Sequence, residues 1–306
     1  LKAMRRIAQV ESTESSNRIE GIEAPRKRIQ GIVLENTNPE NRSEQEIAGY
    51  RDALTLIHES AREMEFTTGV IRQLHTMMYR YLPQPGGDWK PTDNEIIERG
   101  ADGSKVVRFR PVSAVGTSHA MEELTSLFTR AHGIEGRPGL IVIPLAILDF
   151  LCIHPFSDGN GRASRLLTLQ LLYRAGIEVG RFISLERVIE ESKETYYEVL
   201  KSSSAGWHEG THDPHPWLDY FWGILIRSYK EFSDRVGDLN RGAGGKAARV
   251  RDAVQKMNKP FSLSELQAEC PGVSLPTIKR VLGEMKKEGL VMLTGKGRGA
   301  RWNRLG

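Results

Sequence analysis

The sequence predicts a mostly α-helical protein in two parts: a large helical domain carrying one small β-hairpin, and a short basic domain at the C-terminal end. Three observations carry this. Apolar residues recur at helical spacing through most of residues 43–235. One stretch, 94–110, has instead two short apolar runs about a glycine turn. And the charge changes sign near residue 240: residues 241–306 hold 14 Lys and Arg against 5 Asp and Glu, a net of +9, whereas residues 1–240 carry a net of −5. Opposed charges of this kind argue for two modules with different partners.

Taken in order, residues 1–23 are polar, with Ser12, Ser15 and Ser16 as helix caps and Ile19 as a lone apolar anchor. Helical periodicity runs through 43–63 and 67–82, and a Gly/Pro-rich break follows from Pro83 to Pro91. The hairpin places Ile96 and Ile97 on one strand, a turn at Gly100–Gly103, and Val106, Val107 and Phe109 on the other. Helices are expected at about 117–132, 140–153, 161–175, 184–203 and 214–235. Asn240-Arg241-Gly242-Ala243-Gly244-Gly245 reads as a linker, dividing the chain into domains 1–239 and 246–306.

At 306 residues, 39% hydrophobic and 27% charged, the composition is that of a soluble globular chain. No apolar run approaches the roughly 18–20 residues of a membrane span, so no membrane partner is expected. The N-terminus shows no secretory pattern, and the chain opens on Leu1 in place of Met, as a trimmed start would. Cys152 and Cys270 fall in different domains, which fits a reducing cytoplasm. The sequence leaves the oligomeric state open, homo-oligomer included.

The chemistry concentrates in His154-Pro155-Phe156-Ser157-Asp158-Gly159-Asn160-Gly161-Arg162-Ala163-Ser164-Arg165. Apolar runs on both sides, Leu145–Ile153 and Leu166–Tyr173, read as two buried helices holding a polar loop between them. Gly159 and Gly161 allow a tight turn with outward N–H groups, and the positive end of the following helix adds to an anion cradle. Asn160 offers an amide donor to the same phosphate oxygens. Asp158 is a hard oxygen ligand suited to Mg²⁺. Arg162 and Arg165, three apart on one helical face, reach for outer phosphates. His154 titrates near neutrality and suits proton abstraction from a hydroxyl.

These twelve residues match without a gap the pattern His-Pro-Phe-x-Asp-Gly-Asn-Gly-Arg-x-x-Arg, and on them the chain resembles the Fic family. The resemblance implies a Fic-type helical bundle that transfers AMP from ATP, with Mg²⁺, to a hydroxyl side chain of a target protein. It implies further that a hairpin before the loop grips the target's backbone by strand addition, for which Asn94, Glu95, Ile96 and Ile97 form the expected edge. Ser16-Asn17-Arg18-Ile19-Glu20-Gly21 is similar to the family's inhibitory pattern Ser/Thr-x-x-x-Glu-Gly/Asn, which places an inhibitory helix at about 12–23. The resemblance then pairs Glu20 with Arg165, where a carboxylate competes with the γ-phosphate for the guanidinium. Tyr196-Tyr197-x-x-Leu200 resembles stretches that line the adenine pocket, with Tyr197 and Leu200 at the matching positions. His208, His212, Asp213 and His215 fit no zinc spacing and resemble a structural loop of the family.

Residues 246–306 read as three helices and a hairpin, an order that resembles a winged helix-turn-helix. Ser262-Leu263-Ser264-Glu265 is a capping box opening the second helix, and Ser274-Leu275-Pro276-Thr277-Ile278 opens the third. Such folds read DNA through the start of the third helix, here Ser274, Thr277, Lys279 and Arg280, with Lys296 and Arg298 in the wing. The net of +9 makes DNA the expected partner, with protein contacts or dimerisation through the same winged helix as the alternative. The full expectation is a cytoplasmic, autoinhibited adenylyltransferase with a DNA-binding domain. Removal of AMP, transfer of another phosphate-containing group, and nucleotide sensing within a transcriptional regulator stand as alternatives.

Overall fold

A computed structural model describes residues 1–99, 105–240, 243–257, 259–271, 273–295 and 300–305. The chain divides into two compact units, Leu1–Glu231 and Phe232–Gly306.

The first unit opens with α1 (Lys2–Ile19), whose buried side is polar over its second half: Ser12, Thr13, Ser15, Ser16 and Asn17 lie between Met4, Ala8 and Val10 on one side and Ile19 on the other. Buried hydroxyls persist only when hydrogen bonded. Ser12 Oγ donates to Glu186 Oε2 (2.7 Å), Tyr50 Oη donates to Glu186 Oε1 (3.1 Å), and Asn17 Nδ2 donates to Thr13 O (2.8 Å). With no apolar stripe to announce it, this helix starts ten residues before the 12–23 expected from sequence and stops at Ile19. Glu20 is its C-terminal cap residue, followed by Gly21 at φ 78°.

Next come α2 (Arg26–Glu35), α3 (Arg42–Ser60) and α4 (Thr68–Met78). Asn41 caps α3 by accepting the Glu44 N–H (3.0 Å), and Thr67 caps α4 by accepting that of Val70 (3.2 Å). The hairpin is β1 (Ile96–Arg99) against antiparallel β2 (Lys105–Phe109); its turn falls outside the described residues. α5 (Ala114–Phe128) runs into a π-turn at Thr129–Ile134.

α6 (Gly139–Ile153) and α7 (Asn160–Arg174) are the central pair, apolar and buried along most of their length. Pro144 inside α6 has no N–H for the Leu140 carbonyl four residues back. Trp222 Nε1 supplies the missing donor (2.8 Å), and Trp217 Nε1 donates to Pro144 O itself (2.7 Å). Two tryptophans of α10 (His215–Asn240) thus hold a helix that its own proline would weaken.

The single helix expected over 184–203 is two, α8 (Leu185–Glu190) and α9 (Lys193–Ser204). Ser192 lies at the break, and its Oγ bonds Val188 O (3.1 Å) and Tyr220 Oη (2.9 Å). A serine that satisfies the i−4 carbonyl competes with the helix ladder there.

The second unit contains α11 (Ala243–Lys256), α12 (Leu263–Glu269), α13 (Leu275–Lys287) and the antiparallel pair β3 (Val291–Thr294) and β4 (Arg301–Arg304). Of the expected linker, Ala243 to Gly245 are helical and residues 241–242 lie outside the described residues. Val250, Val254, Phe261, Leu266, Ile278 and Leu282 form this unit's own core. The Ser262–Glu265 capping box is formed in both directions. Among the described residues, no helix is long and apolar enough to cross a membrane.

Candidate active site

α6 ends on His154, held at φ 52° and ψ 61°. A left-handed backbone is rare for a residue with a side chain and persists only where the surroundings impose it. The turn swings the imidazole back over its own helix, where Nδ1 lies 3.3 Å from Leu151 O. A carbonyl only accepts, so Nδ1 carries the proton and the Nε2 lone pair is left for chemistry. Burial, helped by the positive charges of Lys90 and Arg108 and opposed by the Leu151 carbonyl and Glu20, lowers the His154 pKa to about 4. The ring is neutral at physiological pH, as a proton acceptor must be.

The loop beyond is fastened from beneath. Phe156 is fully buried and stacks on His75, with ring centroids 3.7 Å apart. His75 Nδ1 accepts the Gly87 N–H (2.9 Å), which leaves Nε2–H to donate to Asp158 O (3.0 Å). Asn160 differs from its expected role. Its Oδ1 accepts the Phe156 N–H (2.9 Å) and its Nδ2 donates one hydrogen to Phe156 O (2.8 Å), so the amide braces the loop.

Gly159, at φ 79°, and Gly161 shape the start of α7. A Cβ on Gly161 would overlap Glu20 Oε1, so the missing side chain is what admits that carboxylate to the positive end of the helix. Arg165 is 3% exposed. Its Nη2 donates to Glu20 Oε1 (2.8 Å) and Ser16 O (2.9 Å), and its Nε donates to Ser16 Oγ (2.8 Å). Its Nη1 has no hydrogen-bond partner among the described residues and lies beside Gly161. Burial is the largest influence on Arg165 and works against its charge, yet Glu20 together with Tyr196 and Tyr50 raises the pKa above its ordinary value.

Arg162 departs from expectation. It is 2% exposed and forms an ion pair with Glu46 Oε2 of α3 at 2.7 Å, with its Nη2 also 4.0 Å from Asp158 Oδ2. It lies outside the lining of the cleft in which His154, Asp158, Gly159, Asn160 and Gly161 meet. That cleft, about 770 Å³, is bounded by Glu20 on one side, by Tyr197 and Leu200 of α9 on another, and by Glu95, Ile96 and Ile97 of the hairpin. Asn94 does not join this edge: its side chain accepts from Lys90 Nζ (2.8 Å) and donates to Phe156 O (3.2 Å). The Asp158 carboxylate is largely exposed, and its Oδ1 accepts the Gly159 N–H (2.7 Å). One such carboxylate beside a phosphate cradle is the protein's usual share of a Mg²⁺ site.

The profile of the Fic/DOC family matches residues 65–172, which carry α4, the hairpin and the whole loop. The chain is a Fic-domain protein. It is 28% identical over 163 residues to a protein adenylyltransferase Fic of Drosophila ananassae, covering 53% of this chain and 29% of that one. It is 24% identical over 257 residues to the protein adenylyltransferase Fic of Drosophila virilis, covering 83% and 44%. The chain therefore spans less than half the length of these curated relatives. A Fic family protein from Desulfovibrio desulfuricans shares the fold, with a TM-score of 0.62 at 20% identity over 99% of this chain and 87% of that one.

Three side chains not singled out in the sequence also hold the site of this Fic-domain protein: His75, Lys90 and Glu46. His75 had a signal, a lone imidazole on the apolar face of α4 among Ile71, Leu74 and Met78. Lys90, in a Gly/Pro-rich stretch, had none. In the loop whose spacing fits no zinc site, His208 Nε2 bonds Arg110 O (2.7 Å) while His215 Nδ1 bonds Asp213 Oδ1 (2.6 Å), so the group does not converge on one point. Trp207 Nε1 donates to Asp149 (2.8 Å), tying that loop to α6.

Proposed function

We propose that the chain is a protein adenylyltransferase of the cytoplasm, restrained by Glu20. The observation that carries this is the conjunction, in one cleft, of a neutral imidazole with its Nε2 lone pair available and a glycine-built anion cradle at a helix start. The unpartnered Nη1 of Arg165 beside Gly161 supports the cradle as a phosphate site.

His154 Nε2 takes the proton of a target Ser, Thr or Tyr hydroxyl. The freed oxygen forms a bond to the α-phosphorus of ATP while the bond from that phosphorus to the bridging oxygen breaks, and pyrophosphate leaves. The Gly159 to Gly161 backbone and Arg165 bear the phosphate charge, Tyr197 and Leu200 face the base, and Ile96 and Ile97 lie where a target strand would add. Asp158 would hold Mg²⁺, which neutralises phosphate charge when bound. Incubation with labelled ATP and Mg²⁺, read by intact mass, tests the reading: a gain of one AMP on this chain or on a partner supports it. Removal of AMP, with Glu20 placing a water, predicts instead a loss from AMP-modified substrate.

A second activity is proposed for the basic unit, on its net charge of +9 and its order of three helices and a hairpin, which fits a winged helix. Lys279 and Arg280 are exposed at the start of α13; Thr277 is half-buried and bonded to Ser274 (2.9 Å), and Arg280 also reaches Glu284 (2.5 Å). Lys296 and Arg298 lie outside the described residues. The full chain should bind duplex DNA with an affinity that falls as salt rises. Lys296→Ala with Arg298→Ala should flatten that dependence by about two phosphate contacts. Salt-independent binding, or none at low salt, contradicts the proposal.

A further inference from the structure

We propose that Lys90 is a positioning residue for His154: together with Asn94 it fastens the backbone on both sides of the imidazole to the approach of the flap hairpin. The inference rests on the adenylyltransferase reading but is not implied by it. Lys90 is 2% exposed. Its Nζ donates to Ile153 O (3.2 Å), one residue before His154, and to Asn94 Oδ1 (2.8 Å). Its backbone N–H donates to Pro155 O (2.8 Å), one residue after, and Asn94 Nδ2 donates to Phe156 O (3.2 Å). Carbonyls 153, 155 and 156 are thus all taken by the segment 90–94, and between them lies the one left-handed non-glycine residue of the loop. Backbone held away from its preferred basin relaxes when its restraints are cut, and the imidazole would then swing with it.

The choice of a lysine needs its own reason. A buried ammonium pays for desolvation that an apolar side chain of similar length would avoid. Burial does push Lys90 down, to about 8, against the opposing charge of Asp93. What the charge supplies is a field at His154. Among the described residues, the charged side chains that bear on that ring are Lys90 from the approach to the hairpin, Arg108 from β2 and Glu20 at the end of α1. Lys90 and Arg108 disfavour the imidazolium and Glu20 favours it. Lys90 therefore serves twice, as a tether that aims the ring and as a charge that adds to burial in disfavouring its protonation. It is not a catalytic residue, because it does not line the cleft.

The test uses the full chain with ¹³C-labelled histidine, His154 being assigned by its loss in His154→Ala. Its protonation is followed from pH 7 to 5 in the parent, Lys90→Met and Asn94→Ala proteins, and AMP transfer is measured for the same changes in a Glu20→Gly background. Lys90→Met should raise the protonated share of His154 at pH 5 by about twofold or more, since a like charge has been removed. It should lower kcat by about tenfold or more while the KM for ATP stays within about twofold, as loss of aim and not of binding requires. Asn94→Ala keeps the ammonium, so it should lower kcat and leave the titration of His154 unchanged. A folded Lys90→Met protein whose His154 titrates like the parent overturns the proposal, as does unchanged kcat in both variants. If Lys90→Met does not fold, Asn94→Ala decides by its kcat alone. A silent Glu20→Gly protein would sink the transferase reading, and the titration would then decide the role of Lys90 by itself.

Discussion

Replacing Glu20 by glycine removes the carboxylate that now sits at the start of α7. The bond at stake is the 2.8 Å contact from Arg165 Nη2, made by a guanidinium that is 3% exposed. A hydrogen bond to a charged group is worth about 1.5–3 kcal/mol. The γ-phosphate must displace it to reach the same donors, so its removal corresponds to about 10- to 150-fold in the population of correctly seated ATP. The remaining bonds of Arg165, to Ser16 Oγ and Ser16 O, do not involve Glu20 and should keep the guanidinium in place. Glu20→Gly should therefore raise the initial rate of auto-adenylylation, followed with α-labelled ATP at saturating Mg²⁺, by about one to two orders of magnitude. Glu20→Gln, which keeps the bulk and loses the charge, should fall between. A rate for Glu20→Gly within about twofold of the parent would refute the reasoning, since it would mean that the ion pair does not compete with phosphate. A fall in rate would point to the AMP-removal reading.

Two further perturbations probe the frame. Glu46→Ala leaves Arg162 buried without its partner and should cost about 3–5 kcal/mol of stability by urea unfolding; a loss under about 1 kcal/mol would show that the pair is solvated in practice. His58, packed edge-on against Tyr173, is held by burial at a pKa of about 4, below its ordinary 6.5. The unfolded chain binds the extra proton between those values, so stability is full above about 6.5 and is lost as pH falls toward 4. Between pH 7 and pH 5 this one residue accounts for about 2 kcal/mol, and the drop over that interval should shrink by that amount in His58→Phe. An equal drop in both proteins would contradict the assignment.

The sequence was most legible where chemistry and spacing coincide. The loop from His154 to Arg165, the hairpin and the Ser262 capping box stand where the residues imply, and the Glu20–Arg165 contact stands where the family resemblance implies it. Where the structure departs from the pattern, the causes are physical. α1 escapes apolar periodicity because its buried side is serine, threonine and asparagine, paired in part with Glu186. The break between α8 and α9 depends on where the Ser192 hydroxyl points. Asn160 and Arg162 carry groups suited to phosphate, yet the fold sets each against a nearer partner: the Asn160 amide bonds the Phe156 backbone, and the Arg162 charge pairs with Glu46. Asn94 is adjacent in sequence to the cleft-lining edge but is turned inward by Lys90, a contact between two loops that periodicity does not report.

The most direct test of the central claim is the mass of the intact Glu20→Gly protein after incubation with ATP and Mg²⁺, beside Glu20→Gly with His154→Ala and Glu20→Gly with Asp158→Ala. The account predicts that the first gains the mass of AMP. It predicts that His154→Ala reduces that gain by about 10²–10⁴-fold, the usual worth of a positioned base, while ATP still binds. Asp158→Ala should lose both the gain and its dependence on Mg²⁺. An AMP adduct forming equally fast without His154 would contradict the account, because the neutral imidazole at the end of α6 is the group on which the proposed chemistry depends.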